Sequence, residues 1–259
     1  MHFINDLKKY YHYTIYATKS QLRSEVANSY LDWVWWILEP FCNMLVYTII
    51  FGYIFNATEP YFPIFIFIGI SMWGFFSKTL NASVKLIKNN KSIVTKVYIP
   101  KQMLLLKVMF VNIFKMSLSF VIILLMIIFY HVPVNICVLY AVPTFIVLFV
   151  LSYGISCFLM HYGVYVEDLA YIVSILLNMM MYFTGVFYSI ENRVPAPFGK
   201  LLNTVNPMAC LVTIMRNALI YRKGSCGLFL FVWFLISLAV AAAGTHLIYK
   251  NENSYVKVI

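Results

Sequence analysis

Six long apolar stretches dominate the sequence and limit the folds that the chain can adopt. Each is about 20 residues or longer, the length that an α-helix needs to cross a bilayer. The chain is 63% hydrophobic and only 11% charged, whereas about a quarter of the residues of soluble domains are charged. We therefore predict an all-α membrane protein with six transmembrane helices, at residues 31–55, 62–80, 103–130, 136–160, 169–187 and 228–248.

The lysine-rich run 85–101, between the second and third spans, predicts the orientation of the chain. Lys and Arg concentrate on the cytoplasmic side of membrane proteins, so this run and both termini are expected in the cytoplasm. Thirteen of the 19 Lys and Arg residues are then inside, and Lys115 lies within a span. Five are outside, namely Arg193, Lys200, Arg216, Arg222 and Lys223.

Two cytoplasmic segments are predicted to be helical without crossing the membrane. Residues 1–29 place apolar side chains at helical spacing among lysines. This pattern predicts either an amphipathic helix in the membrane interface or a solvated helix packed on the protein. Within 84–98, lysines recur every three residues beside Ile87, Ile93 and Val94, which predicts one short interfacial helix. Pro100 suits the first turn of the third span.

The external segment 189–220 is too polar to span the membrane, yet it contains two short helical patterns, 198–205 and 208–219. Asn206 and Pro207 precede the second pattern, as a cap and as a first-turn proline. We predict two short re-entrant or surface helices that form an external lid. Backbone that stops at membrane depth needs protein or a water-filled path around it.

Glu39 and Lys115 are charged residues that fall well inside predicted spans. A charge there is costly unless it has a partner or faces a polar cavity. The simpler interpretation of Lys115 is that it snorkels or meets a backbone carbonyl group, and the alternative is a functional ion pair. Pro40 removes a backbone donor and is expected to kink the first span.

Aromatic side chains are abundant, with 22 Phe, 20 Tyr and 5 Trp. Their flat apolar faces and polar edges could carry sugar rings, although such rows are also typical of lipid belts and helix packing. Two rows of rings lie on the first span, one of Tyr30, Trp33 and Trp36 and one of Tyr47, Phe51 and Phe55.

Several kinds of chemistry find no support in the sequence. It contains no phosphate-binding loop, no Gly-x-Ser-x-Gly elbow and no His-Glu-x-x-His pair. The five cysteines and five histidines are scattered and predict neither a disulfide framework nor a metal site. The chain has a net charge of +10, but most of its Lys and Arg residues flank apolar stretches and do not form a basic domain. Nucleic-acid binding is therefore not expected.

Four stretches form a recognisable pattern in order along the chain: 30–40 (YLDWVWWILEP), 69–76 (GISMWGFF), 94–101 (VTKVYIPK), and an external group of 187–189, 206–207 and 216–219. Together they resemble the type 2 ABC transporter permeases that export O-antigen, capsule and wall teichoic acid. The resemblance covers nearly the whole chain.

The resemblance implies that residues 1–259 form one ABC-2 type transmembrane domain that is not itself an enzyme. It implies a bacterial inner-membrane homodimer, two copies of a separate ATP-binding subunit that holds ATP and magnesium, and a lipid-linked glycan as substrate. It makes 84–98 a coupling helix with Lys85, Lys88, Asn90, Lys91 and Lys96 toward the ATPase. It assigns Asn206, Pro207 and Arg216 to external gate helices, and Trp33, Trp36, Tyr47 and Phe51 to the substrate path.

Glu167 and Asp168 mark one departure from that family. Many relatives carry Arg-Asp at this cytoplasmic end of the fifth span, where contact with a lipid pyrophosphate is expected. Two alternatives stay open at this stage. One is an ABC-2 permease for a small hydrophobic drug or ion, which an aromatic-poor path would favour. The other is a membrane enzyme acting on a lipid-linked sugar, for which these carboxylates and His161 are the candidate groups.

Overall fold

The structure is a computed structural model that describes residues 2–27, 32–224 and 227–258. Tyr30, Leu31 and Cys226, which enter the sequence predictions, lie outside these residues. Within them the chain is helical and contains no β-strand, so the predicted all-α fold is confirmed. The helices are α1 (His2–Val26), α2 (Asp32–Tyr47), α3 (Phe62–Val84), α4 (Leu86–Asn89), α5 (Lys91–Lys96), α6 (Lys101–Phe129), α7 (Ala141–Tyr165), α8 (Leu169–Phe183), α9 (Ile190–Arg193), α10 (Phe198–Val205), α11 (Pro207–Arg216) and α12 (Gly227–Val258).

Five helical segments of the described chain are long and apolar enough to cross a membrane. They are Trp33–Ile54, Phe62–Val84, Lys101–Phe129, Ile136–Tyr165 and Gly227–Tyr255. The first includes the π-helical turn Thr48–Ile54 that continues α2, and the fourth begins with the 3-10 turn Ile136–Tyr140. The predicted fifth span corresponds to α8, which has only 15 residues. At a rise of about 1.5 Å per residue it is shorter than a bilayer core of about 30 Å.

Helix α3 lies at the centre of the fold. About 72% of its most apolar window is buried inside the chain, against 33% or less for the other four long helices. A helix that is apolar on every side must be covered on every side. Accordingly, α2, α6, α7, α8 and α11 all pack against α3.

Glycines allow α7 to pack closely on its neighbours, as small residues commonly do between membrane helices. A Cβ atom at Gly154 would lie 2.7 Å from the backbone nitrogen of Ala241 in α12. A Cβ atom at Gly163 would overlap the carbonyl oxygen of Val84 at the end of α3. The sequence analysis attached no role to these glycines.

Polar contacts join the end of α12 to α1 and to the segment around the beginning of α6. Lys101 is 2% exposed and lies 3.4 Å from Glu252 near the end of α12. Tyr98 donates to the other oxygen of Glu252 at 3.3 Å, and Tyr249 donates to Asp6 of α1 at 2.6 Å. These contacts place α1, the start of α6 and the end of α12 together.

Several predicted boundaries differ from the structure. The segment 84–98 forms two short helices, α4 and α5, rather than one, because the backbone leaves helical geometry at Asn90. Helix α7 continues through His161 to Tyr165. The ring nitrogen Nδ1 of His161 lies 2.8 Å from the Tyr255 hydroxyl group of α12. The predicted tail after Ile248 is helical as far as Val258. Helix α2 runs through Pro40 without ending there.

Replacing Gly163 with Ala should destabilise the protein, because even a methyl group overlaps the Val84 carbonyl group. We expect a loss of about 1–3 kcal/mol, as for other overpacked sites, measured by thermal unfolding of the purified protein in detergent. Gly74→Ala is the matched control, because apart from the adjoining residues and backbone of its own helix no atom lies within 4 Å of the added Cβ atom. Equal melting temperatures for the two variants would contradict the packing argument.

Candidate substrate path

A cavity of about 230 Å³ opens between α2, α3 and α6, and we call it the Trp36 cavity. Its walls combine aromatic rings with amide, hydroxyl and charged groups, so it is neither a purely apolar groove nor a charged funnel. Its lining consists of Trp36, Glu39, Pro40, Asn43, Tyr47, Ile70, Ser71, Trp73, Gly74, Phe75, Lys78, Asn112, Lys115, Met116, Ser119, Met181, Val186 and Phe187.

The charges of the Trp36 cavity are paired between helices. Lys78 of α3 lies 3.1 Å from Glu39 of α2, and both side chains are 57% exposed. Lys115 of α6 lies 2.7 Å from Glu25 of α1 and 5.6 Å from the centre of the Trp36 ring. Lys115 therefore has a carboxylate partner in α1, and a functional role for this ion pair stays a prediction. An exposed pair such as Lys78–Glu39 contributes about 1 kcal/mol or less.

Uncharged polar groups line the same cavity. The Asn112 amide donates to Thr79 at 3.0 Å, which ties α6 to α3. Asn43 is exposed on α2, and Ser71 and Ser119 are buried in the wall. Amides and hydroxyl groups both donate and accept hydrogen bonds, so the cavity can bind a neutral ligand that carries many hydroxyl groups.

A second cavity of about 380 Å³ lies on the other side of Phe187, and we call it the Phe51 cavity. Glu59 in its wall accepts hydrogen bonds from Tyr221 and, at 2.6 Å, from the Asn192 amide. Burial, followed by the hydrogen bond to Glu59, raises the pKa of Tyr221, so its hydroxyl group is a donor at neutral pH. The lining is Phe51, Phe55, Ala57, Glu59, Phe62, Phe187, Tyr188, Ser189, Arg193 and Val194.

Aromatic contacts connect the two cavities. The Phe187 ring stacks on Phe51 with 4.8 Å between centroids and 9° between planes. Its centroid lies 4.6 Å from that of Tyr47. Phe55 stacks on Phe51 at 5.6 Å, so the row predicted on the first span does exist. Phe187 was part of the quoted resemblance, but no local pattern indicated that its ring would contact this row.

Trp33 was predicted to line the path together with Trp36, but it is not among the residues that line either cavity. Its side chain is 54% exposed. The two rings share a helical face, yet Trp33 lies about 4.5 Å further along the axis. On α2 the lining of the Trp36 cavity runs from Trp36 to Tyr47, so this offset places Trp33 outside the cavity.

The predicted gate residues meet at the turn 184–187, which follows α8. The side-chain oxygen of Asn206 accepts from the backbone of Met208 and Ala209 at 3.0 and 3.3 Å, which caps α11. Its amide donates to Thr184 at 3.3 Å. Pro207 occupies the first turn of α11, as predicted.

Arg216 was counted among the external charges, but the structure buries it to 4% exposure. Its Nε donates to the Phe65 carbonyl group at 3.1 Å. Its two Nη atoms donate to the carbonyl groups of Gly185 and Val186 at 2.8 and 2.7 Å. Backbone carbonyl groups thus compensate the buried charge.

The predicted coupling residues lie on and around α4 and α5. These helices bury Leu86, Ile87 and Val94 against the protein. The charged side chains point the other way: Lys85, Lys91 and Lys96 are exposed and Lys88 is half-buried. Lys85 lies 5.6 Å from the ring centre of Tyr171 in α8, and the Asn90 amide donates to the Leu86 carbonyl group at 2.8 Å.

The predicted lipid-head residues lie apart from the two cavities. Glu167 and Asp168 are exposed in the link between α7 and α8, and neither lines the Trp36 or the Phe51 cavity. Their contact with a lipid head group stays a prediction.

Comparison with known proteins identifies the family. The family profile described as ABC-2 type transporter matches residues 16–220. The chain belongs to the ABC-2 type transporter family. Members of this family are integral membrane proteins, and membership implies an ABC ATP-binding partner.

Individual ABC-2 relatives are similar along most of their length. The chain is 28% identical over 211 residues to the O-antigen export system permease protein RfbA of Myxococcus xanthus, covering 81% of each chain. A protein of the same name from Klebsiella pneumoniae is 18% identical, with 95% of this chain and 94% of the relative covered. The polysialic acid transport protein KpsM of Escherichia coli is 26% identical, with 86% and 88% covered.

Replacing Asn206 with Ala should destabilise the external part of this ABC-2 domain, because two backbone donors of α11 lose their acceptor. Loss of such a cap costs about 1 kcal/mol, which thermal unfolding in detergent would detect. Asn206→Ser keeps a capping oxygen and should retain most of the stability. A melting temperature of Asn206→Ala equal to that of the unchanged protein would show that the cap does not stabilise α11.

Proposed function

We propose that the chain is the membrane permease subunit of an ABC transporter that exports a lipid-linked cell-surface polysaccharide, of O-antigen, capsule or teichoic acid type. The observation that carries this proposal is the pair of aromatic-lined cavities that meet at Phe187. Relatives named for O-antigen export and polysialic acid transport support the same substrate class.

The wall of the Trp36 cavity suits sugar rings chemically. A sugar ring has a face rich in C–H groups, which packs on the flat faces of Trp36, Trp73 and Tyr47. Its hydroxyl groups can bond to amides such as those of Asn43 and Asn112. The aromatic lining favours a glycan over the small drug or ion of the alternative permease, for which an aromatic-poor path was expected.

The contacts between chain ends support six crossings with both termini in the cytoplasm. Asp6 near the start of α1 and Glu252 near the end of α12 lie in one polar cluster with Tyr98, between the second and third long helices. An even number of crossings must separate groups that share one side of a membrane. Five long helices are odd in number, so we infer that α8, together with the turn 184–187 that follows it, also crosses. The lysines support the cytoplasmic side of a bacterial inner membrane as the shared side.

The proposed assembly is a homodimer of this chain with two copies of a separate ABC ATP-binding subunit, which supplies ATP and magnesium. The family supports the ATP-binding partner. The lysines on α4 and α5 are the proposed contact surface, since these helices adjoin the Tyr98 and Lys101 cluster. A displacement of α4 and α5 by the partner would be transmitted to α12 by the contacts of Tyr98 and Lys101 with Glu252. It would be transmitted from α12 to α1 by the hydrogen bond between Tyr249 and Asp6.

The membrane-enzyme alternative receives no specific support. His161 is held by Tyr255 inside the helix bundle, whereas Glu167 and Asp168 are exposed in the following link. The described residues contain no group of three or more His, Cys, Asp or Glu that could hold a metal ion.

Replacing Trp36 with Ala should lower export more than it lowers protein amount, because the cavity loses a ring that can bind sugars. One aromatic contact predicts about a two- to tenfold loss, measured as surface glycan per unit of permease in complemented cells. Trp33→Ala is the matched control on the same helical face, and it should export normally. Normal export by Trp36→Ala, or equal losses in both variants, would contradict the assignment of the path.

Replacing both Lys88 and Lys91 with Glu should weaken association with the ATP-binding subunit, since reversed charges repel a surface complementary to lysine. We expect at least about a tenfold loss of co-purified partner, with the permease still folded by size-exclusion chromatography. The double variant Lys200→Glu with Lys223→Glu makes the same charge change on the external segment and should retain the partner. Full retention by Lys88→Glu with Lys91→Glu would remove this surface as the coupling site.

A further inference from the structure

We propose that the ring of Phe187 closes the passage between the Trp36 and Phe51 cavities, and that Arg216 is the positioning residue that holds it there. This inference rests on the proposed function only in treating the two cavities as parts of one path. It adds a specific barrier and the side chain that sets its place.

The barrier consists of three rings, Tyr47, Phe51 and Phe187, which we call the aromatic seal. Phe187 is 3% exposed although it lines a cavity on each side. Its ring lies parallel to that of Phe51 and against that of Tyr47. In this proposal a hydrated ligand passes from one cavity to the other only when this ring moves, because the contact between the cavities is made by apolar ring surfaces.

Phe187 is placed by a turn rather than by a helix. Helix α8 ends at Phe183, and Gly185 takes a φ of +68°, which glycine adopts without strain. The carbonyl groups of Gly185 and Val186 both accept from Arg216. One side chain therefore fixes the two peptide units directly before Phe187.

Arg216 also fixes this turn to the centre of the fold. Its Nε donates to the Phe65 carbonyl group of α3, and its guanidinium carbon lies 3.4 Å from the centre of the Phe65 ring. Gly69 leaves the space for it, since a Cβ atom there would lie 2.7 Å from an Nη atom. The side chain thus joins α11, α3 and the turn 184–187.

This arrangement depends on the geometry of arginine. A planar guanidinium group donates in several fixed directions at once, whereas the lysine ammonium group is a compact point charge. Because Arg216 is carried by α11, a displacement of α11 relative to α3 changes the hydrogen bonds that hold the turn. The structure therefore links the position of the external helices to the position of the Phe187 ring.

The test measures access to the Trp36 cavity from outside the cell. The full-length chain, with its five cysteines replaced by Ala and its ATP-binding partner present, receives one new cysteine. Asn43→Cys reports the Trp36 cavity, and Ala57→Cys reports the Phe51 cavity. A membrane-impermeant maleimide is added to intact cells, and the labelling rate of each cysteine is measured.

The seal predicts rapid labelling of Ala57→Cys and slow labelling of Asn43→Cys. Adding Phe187→Ala should raise the Asn43→Cys rate about tenfold, since two ring contacts are lost together, and leave the Ala57→Cys rate unchanged. Phe187→Tyr keeps the ring and should keep the rate low. Equal rates at both cysteines with Phe187 present, or no increase with Phe187→Ala, would overturn the seal.

The positioning role of Arg216 is tested in the same background. Arg216→Lys keeps the charge but not the three simultaneous donors, so it should also raise the Asn43→Cys rate. Arg222→Lys is the matched control, because Arg222 is exposed shortly after α11 and lines neither cavity. An increase with Phe187→Ala but none with Arg216→Lys would overturn the role of Arg216.

Two other outcomes separate this inference from the proposed function. Failure to label Ala57→Cys from outside would overturn the proposed orientation and the seal with it. Surface glycan that does not depend on the chain would overturn the export proposal alone, because the labelling rates would still decide whether the ring closes the passage.

Discussion

The apolar character of α3 on every side is the constraint on which the rest of the structure depends. A helix of this kind must be covered all around, and five other helices pack against it. The Trp36 cavity lies along α3 where α2 and α6 do not close over it completely. The candidate path is thus a gap in the covering of the central helix, and in the proposed homodimer a second copy of the chain would complete it.

Polar groups in this apolar setting are used to connect separate elements. Three ion pairs among the described residues each join two different helices: Glu39 to Lys78, Glu25 to Lys115, and Lys101 to Glu252. Arg216 similarly joins α11 to α3 and to the turn before Phe187. Charges within a membrane protein are expensive without partners, so each pairing marks a contact between elements of the fold. The Lys101 pair lies beside the proposed coupling surface, and Arg216 lies beside the aromatic seal.

Much of the fold could be predicted from the sequence because helix length and termination are local properties. Apolar length predicted the long helices, and Asn206 with Pro207 correctly marked the start of α11. The boundary errors have physical causes as well. The end of α12 remains helical because Glu252 and Tyr255 pack on the protein, an interaction that no local pattern shows.

The candidate site was harder to predict because it depends on contacts between distant residues. Glu25 and Lys115 are 90 positions apart, and only their packing makes them a pair. Trp33 and Trp36 look equivalent on a helical wheel, yet the cavity ends between them. The burial of Arg216 required Gly69, far away in the sequence, to leave space for a guanidinium group.

The measurement that tests the account most directly is the distribution of glycan in cells that lack this chain. Surface glycan and internal lipid-linked glycan are labelled separately in a deletion strain and in the same strain carrying the gene again. The account predicts that polymer disappears from the surface, accumulates inside on its lipid carrier, and returns to the surface on complementation. Unchanged surface glycan in the deletion strain would contradict the assignment of this chain as the export permease.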